Sequence, residues 1–150
     1  MLRLTRKLMF AIEAVVDIAY NAGENPVQSK DIAERQGIPR RYLEQVLQQL
    51  VRADVLRGVR GPRGGYRLAR ERRRIALGEI VRIVAGMDPD EQSEDGPGSE
   101  LGRVVLQPLW HELQEEALSR LDAMSIEDLC QSARSAGIDA PSRRHVDFTI

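Results

Sequence analysis

The stretch Arg57-Gly58-Val59-Arg60-Gly61-Pro62-Arg63-Gly64-Gly65-Tyr66-Arg67-Leu68 has the makings of a tight hairpin loaded with arginine. Val59-Arg60 and Tyr66-Arg67-Leu68 alternate as strands do, while Gly61, Pro62, Gly64 and Gly65 supply turn conformations that other residues resist. The segment follows a helix with a polar outer face. A helix and then a basic hairpin is the outline of a winged-helix DNA reader; taken alone, the segment also fits a surface hairpin with incidental charge.

Working back from the hairpin, Leu43, Val46, Leu47 and Leu50 form one apolar stripe of a helix that runs to about Ala53, with Pro39 suited to its opening turn. Arg41, Gln45, Gln48 and Arg52 lie opposite, flanked by Glu44 and Gln49. A shorter helix over about Ser29 to Gln36 precedes it, with Asp31 in its first turn and Gly37 as a left-handed cap. Two helices joined by a short glycine-containing turn make a helix-turn-helix unit. Leu8, Ile12, Val15, Val16 and Ala19 recur at helical spacing and predict a first helix from about Thr5 to Ala22.

Beyond the hairpin, Arg70 to Arg74 reads as a solvated charge run. Ala76 to Ala85 predicts a short helix with Leu77, Ile80, Val81 and Val84 inward. Met87 to Ser99 is acidic, contains Gly96, Pro97 and Gly98, and lacks apolar periodicity, so it is expected to be a flexible loop. A long helix from about Glu100 to Ala123 carries Leu101, Val105, Leu109, Leu113 and Leu118 on one face. At about 24 residues it spans roughly 36 Å, more than the N-terminal unit can cover, and its stripe is expected to form a dimer interface. Pro108 should kink or break it. Ser125 to Ala133 predicts a last helix capped by Ser125, and the tail after Gly137 is expected to be mobile. The fold class is therefore mainly α. A winged helix-turn-helix domain over residues 1–85 with a two-stranded wing is joined by a loop over 86–99 to a dimerisation helix and short C-terminal helix over 100–134, with a tail over 135–150.

The 150 residues carry a formal net charge of -1, but that near-neutral total conceals a split. Residues 1–84 hold 17 Lys and Arg against 9 Asp and Glu, a net of +8, whereas residues 85–150 hold 5 against 14, a net of −9. A basic first half suits a polyanion, and an acidic second half suits solvent or a protein partner. Cys130 is the lone cysteine and cannot form an intramolecular disulfide. Glu13 and Asp17 interrupt any export-signal core or membrane span around Leu8 to Ile12, so a cytoplasmic protein with no membrane partner is expected.

Thr5, Ala11, Asp17-Ile18-Ala19, Ile32-Ala33-Glu34-Arg35-Gln36-Gly37-Ile38, Tyr42-Leu43-Glu44-Gln45, Val59-Arg60-Gly61-Pro62 and Gly64-Gly65-Tyr66-Arg67-Leu68 closely resemble the winged-helix regulators typified by the iron-sulfur cluster regulator IscR, the nitric-oxide sensor NsrR and the cysteine metabolism repressor CymR. The resemblance is strong over about residues 1–85 and looser around Leu109-Trp110. It implies a homodimeric bacterial transcription factor, a repressor in the expected case, that binds double-stranded DNA at a pseudo-palindromic operator. By the same resemblance Glu44 reads base edges, where a carboxylate accepts from cytosine, and Arg60 enters a narrow minor groove. Arg40, Arg41 and Tyr42 contact backbone or base edges, and Thr5 and Lys7 hold phosphate. Ser29, Pro39, Gln45, Gln48 and Arg63 complete the implied DNA-binding set. A solvated ion pair remains open for Glu44, and packing against the wing for Tyr42. Pro39, Arg40 and Arg41 depart from the small hydroxyl residues that relatives often carry, which puts transfer of the operator sequence in doubt.

Cluster-binding members of the family place three cysteines, often with a histidine or carboxylate, before and at the start of the dimerisation helix. Here Met87 to Gln107 contains neither cysteine nor histidine, and Val104 and Gln107 stand where a ligand cysteine and histidine would be expected. Clusters need several thiolate or imidazole donors, so no cofactor and no metal is expected. His111 reads as a surface or interface residue. Cys130, beside Leu129 on an amphipathic helix, reads as a small buried hydrophobe, with a redox-sensing thiol as the alternative. Cysteine metabolism repressors of the family respond through a protein partner, which implies a sulfur-metabolism enzyme as effector and sulfur, cysteine or iron-sulfur assembly genes as targets. Enzymatic activity is not expected, because the glycine-rich hairpin lacks the lysine-hydroxyl ending of a nucleotide loop and no nucleophile, base and orienting residue occur together. The competing function is a regulatory interaction module working through such a partner without DNA.

Overall fold

The computed structural model describes residues 4–87 and 98–138. Among the described residues, six α-helices and one hairpin follow in the order α1 (Arg6–Tyr20), α2 (Ser29–Gln36), α3 (Arg40–Arg52), β1 (Leu56–Val59), β2 (Gly65–Leu68), α4 (Leu77–Ala85), α5 (Gln107–Asp122) and α6 (Ile126–Ser135). A 3-10 turn at Arg72–Arg74 precedes α4, and a π-helical segment at Gly102–Leu106 leads into α5.

The termini of the helices follow from their residues. Thr5 caps α1, its hydroxyl accepting the Leu8 N–H at 3.1 Å, and Gly37 ends α2 in the left-handed region at φ 64°. Ser125 and Asp128 form a reciprocal capping box on α6. The helix before the hairpin buries Leu43, Val46, Leu47 and Leu50. On α1, Leu8, Ala11, Ala14, Val15, Ile18 and Ala19 face the core; of the residues whose spacing predicts the helix, Leu8, Val15 and Ala19 are buried and Ile12 and Val16 are half-buried against it.

Ile126 and Cys130 of α6 are fully buried in the same core as α1, α3 and α4. Two strand-like bridges close the wider frame, Val27 with Tyr66 and Ala76 with Ser125. The Arg70 to Arg74 run is not simply solvated. Arg70 donates to the Asp54 and Arg74 carbonyls and pairs with Glu79 of α4, and Arg72 pairs with Glu127 of α6.

Pro108 does not break the long helix. Helical backbone continues over 100–122, but it widens to π geometry at Gly102–Leu106, and the Gln107 N–H reaches back to the Gly102 carbonyl. Proline lacks a donor and its ring collides with the carbonyl four residues earlier; one wider turn relieves both. Along α4, Gly78 lies close against α5: a Cβ there would lie 2.0 Å from Asp122 Oδ1 and 3.1 Å from the Asp122 backbone nitrogen, so the Asp122 side chain would have to shift. Asp122 in turn takes a two-pronged bond from Arg82 at 2.6 and 2.9 Å. The expected loop over Met87 to Ser99 falls largely, and the expected tail almost wholly, outside the described residues.

Candidate nucleic-acid interface

The outer face of α3 is built by exclusion. With Leu43, Val46, Leu47 and Leu50 inward, helical geometry leaves Arg40, Arg41, Tyr42, Glu44, Gln45 and Gln48 exposed, together with Pro39 before them. No side chain caps the start of α3, so its first-turn N–H groups and positive dipole end face outward beside Arg40 and Arg41, an arrangement that favours an anion. Tyr42 is 55% exposed. Glu44 lies 3.6 Å from Arg40 one turn back, both side chains being more than half exposed. A pair this open is worth little to stability, so either partner can swing to another contact.

The hairpin pairs antiparallel in the register Leu56 with Leu68, Arg57 with Arg67, Gly58 with Tyr66 and Val59 with Gly65. Arg60 therefore sits just past β1, at the turn rather than inside a strand, and is exposed with Pro62 and Arg63. Gly61 adopts φ 114°, which side chains resist. Gly64 and Gly65 are needed for a different reason: a Cβ at Gly64 would lie 2.3 Å from the Val59 carbonyl oxygen, and one at Gly65 2.4 Å from that of Val27.

The hairpin is also held from outside, which the sequence did not disclose. The Val27 and Tyr66 backbones exchange two hydrogen bonds, at 2.8 and 3.0 Å, adding a third short strand segment. Arg67, superficially another cation of the wing, donates to the Gly23 and Glu24 carbonyls at 3.2 and 2.5 Å. Its guanidinium is spent on fixing the hairpin to the α1–α2 connection. Ser29 begins α2 in a half-exposed position, and Thr5 and Lys7 flank the start of α1, also half-exposed.

A second unforeseen element positions α2. The Asp17 carboxylate, buried inside α1, accepts from Arg35 Nε and Nη2 at 3.0 and 2.8 Å and from Gln36 Nε2 at 2.8 Å. The bond to Asp17 raises the Arg35 guanidinium further above its ordinary range. Asp17 thus ties the first helix of the helix-turn-helix to the core.

A family model described as "Rrf2: Iron-dependent Transcriptional regulator" matches residues 4–132. The chain belongs to the Rrf2 family. Among curated relatives, the HTH-type transcriptional regulator IscR of Xenorhabdus nematophila is 36% identical over 132 residues, covering 87% of this chain and 80% of that one. The regulator of the same name from Aliivibrio salmonicida is 37% identical over 129 residues, with 85% and 77% covered. Among solved structures, IscR of T. potens superimposes with a TM-score of 0.73 at 33% identity over 90% of each chain. CymR, the global cysteine regulator of B. subtilis, gives 0.71 at 29% identity over 88% of this chain and 98% of that one. The winged-helix fold and the place among transcriptional regulators are those expected from the hairpin and α3.

The Rrf2 description raises the question of iron, and the donor set answers it. Cys130, the single cysteine, is fully buried in the core, and burial pushes its thiol above the ordinary value. His111 is exposed on α5, and Val104 and Gln107 offer no thiolate or imidazole. Among the described residues no group of three or more His, Cys, Asp or Glu could hold a metal ion. These residues do not fit an iron-sulfur cluster of the cysteine-ligated kind. No described helix is long and apolar enough to cross a membrane.

On α5 and the π segment, Leu101, Val105, Leu109 and Leu113 are exposed, together with Val104, Leu106 and Trp110. Leu118 differs from the rest of its stripe: it is half-buried against the chain's own core, as is Leu121. The uncovered apolar face therefore belongs to the first part of the long helix.

Proposed function

We propose that this Rrf2 protein is a homodimeric, sequence-specific DNA-binding repressor that works without an iron-sulfur cluster. The observation that carries the reading is an exposed polar face on α3 joined to a glycine-shaped, externally braced hairpin that presents Arg60 and Arg63 at its turn. Each α3 enters a major groove, with Glu44, Gln45 and Gln48 at base edges and Arg40, Arg41 and Tyr42 at backbone or base edges. Each wing turn enters the adjacent minor groove through Arg60. Thr5, Lys7, Ser29, Pro39 and Arg63 line the phosphate path.

The exposed apolar face over Leu101, Val105, Leu109 and Leu113 supports dimerisation, since an uncovered row of large aliphatic side chains marks an interaction surface. Two protomers then present two recognition helices to a pseudo-palindrome. Similarity to IscR and CymR supports sulfur, cysteine or iron-sulfur assembly genes as targets.

Gel-shift titrations at several salt concentrations test the docking residue by residue. Arg60→Ala should weaken binding and reduce the salt dependence, by about 0.9 in log-log slope for each phosphate that is no longer neutralised. Glu44→Ala should chiefly relax base preference, worth about 1–3 kcal/mol of discrimination at its position. If both variants bind every operator as the parent does, the docking is wrong.

A further inference from the structure

The core holds the hairpin at its base and leaves its turn projecting. Leu56 of β1 is fully buried, all four residues of β2 are half-buried, and the turn from Arg60 to Arg63 is exposed. From the Leu56–Leu68 pair to Arg60 the chain runs roughly 14 Å, at about 3.4 Å per residue of extended strand. A small tilt at the base is therefore magnified at Arg60. A two-stranded ribbon is marginally stable by itself, so its direction depends on what grips it from outside.

That grip falls on two successive residues of β2. Tyr66 exchanges its pair of backbone hydrogen bonds with Val27, and Arg67 Nη1 and Nη2 donate to the consecutive carbonyls of Gly23 and Glu24 at 3.2 and 2.5 Å. A planar guanidinium bonded through both of its ends fixes direction as well as distance. Gly23, Glu24 and Val27 all belong to the connection between α1 and α2, and α2 begins at Ser29. Arg57 offers the contrast. It faces Arg67 across the hairpin, where like charges repel, yet Arg57 is exposed and Arg67 is half-buried over the α1–α2 connection.

We infer that Arg67 is a positioning residue for DNA recognition: its bonds to the Gly23 and Glu24 carbonyls set the angle at which the hairpin presents Arg60 to the minor groove, with Arg67 itself off the DNA. A turn held in its binding position beforehand loses less freedom on binding. The α3 face is anchored separately, through Leu43, Val46, Leu47 and Leu50, so loss of Arg67 should disturb the contact of the wing and spare those of α3. The role in recognition rests on the docking proposed above; the brace itself does not.

Anisotropy titrations of the full chain against a genomically selected operator, over a series of salt concentrations, compare Arg67→Ala, Arg60→Ala and Arg57→Ala singly and in pairs. Arg67→Ala should weaken binding and lower the salt dependence much as Arg60→Ala does, and in an Arg60→Ala background it should change affinity by no more than about twofold. Arg57→Ala removes the same charge from the same hairpin but leaves the brace, so its effect should add in full to that of Arg60→Ala. The base preference governed by Glu44 should survive in Arg67→Ala. Hydrogen exchange of the free protein reads the brace without DNA: the Val27 and Tyr66 amides should exchange roughly tenfold or more faster in Arg67→Ala, and at the parental rate in Arg57→Ala. Full additivity of Arg67→Ala with Arg60→Ala would make Arg67 a phosphate contact, loss of the Glu44 preference would make it a general scaffold residue, and unchanged exchange would remove the brace; each overturns the assignment. If the parent selects no site, or Arg60→Ala binds as the parent does, the docking fails and the positioning role falls with it, while the exchange result still reports the brace.

Discussion

Asp17 interrupts an otherwise apolar run of α1, and its charge is useful only because two donors arrive from the end of α2. Its partners lie 18 and 19 residues away, so sequence spacing could not reveal the clamp. Asp17→Ala should lower unfolding stability by about 2 kcal/mol, the scale of charge-assisted hydrogen bonds, read from the urea midpoint. The loss is below that of a fully buried pair because the Arg35 side chain is 28% exposed and can turn to water. Glu13 behaves in the opposite sense to a paired carboxylate. Burial raises its folded pKa above the ordinary carboxylate value, so the folded state holds its proton longer than the unfolded chain. Stability should therefore fall as pH rises from the unfolded value through the raised one. Glu13→Gln should remove this part of the pH slope in melting experiments. Cys130 was legible as a buried hydrophobe from its amphipathic helix; its raised thiol and full burial predict that native protein resists thiol reagents until it unfolds.

At the scale of elements, regular periodicity was readable and cross-element bonding was not. The apolar stripes of α3 and α4 and the glycine pattern of the hairpin follow from local rules, and the structure places those residues accordingly. Arg67, Arg70 and Arg72 looked like surface cations because arginine in a hairpin or a charge run carries no mark of its partner. In the fold they are braces, tying the hairpin to the α1–α2 connection and the 3-10 turn to α4 and α6. Arg67→Ala should therefore differ from Arg60→Ala. Losing the brace should increase hydrogen exchange across Val27, Tyr66 and the hairpin in the free protein, whereas Arg60→Ala should leave exchange there unchanged. Gly78→Ala, which forces Asp122 away from Arg82, should cost about 1–3 kcal/mol, typical of overpacking. The π turn before Pro108 was foreseen only as a kink or a break, since the proline rule names the conflict and not which relief the helix adopts.

For the whole molecule, two exposed surfaces stand out among the described residues. One carries the α3 face and the arginine turn of the hairpin; the other carries the uncovered aliphatic row of the long helix. That row was legible as a stripe, although Leu118 packs against the chain's own core, α5 meeting α4 at its C-terminal end through Arg82 and Asp122. Leu109→Glu with Leu113→Glu should convert a dimer into a folded monomer in sedimentation experiments. Operator affinity should then fall by about 100-fold or more, as one half-site must bind without the other. Recognition by α3 and the hairpin is proposed to be sequence-specific and to need no iron-sulfur cluster. Its most direct test is selection of genomic fragments by anaerobically purified, iron-free protein, followed by affinity measurement on the selected site and on scrambled DNA at physiological salt. The predicted result is a pseudo-palindromic site held about 1,000-fold or more above scrambled DNA; equal binding to both, or preference appearing only after cluster loading, would contradict it.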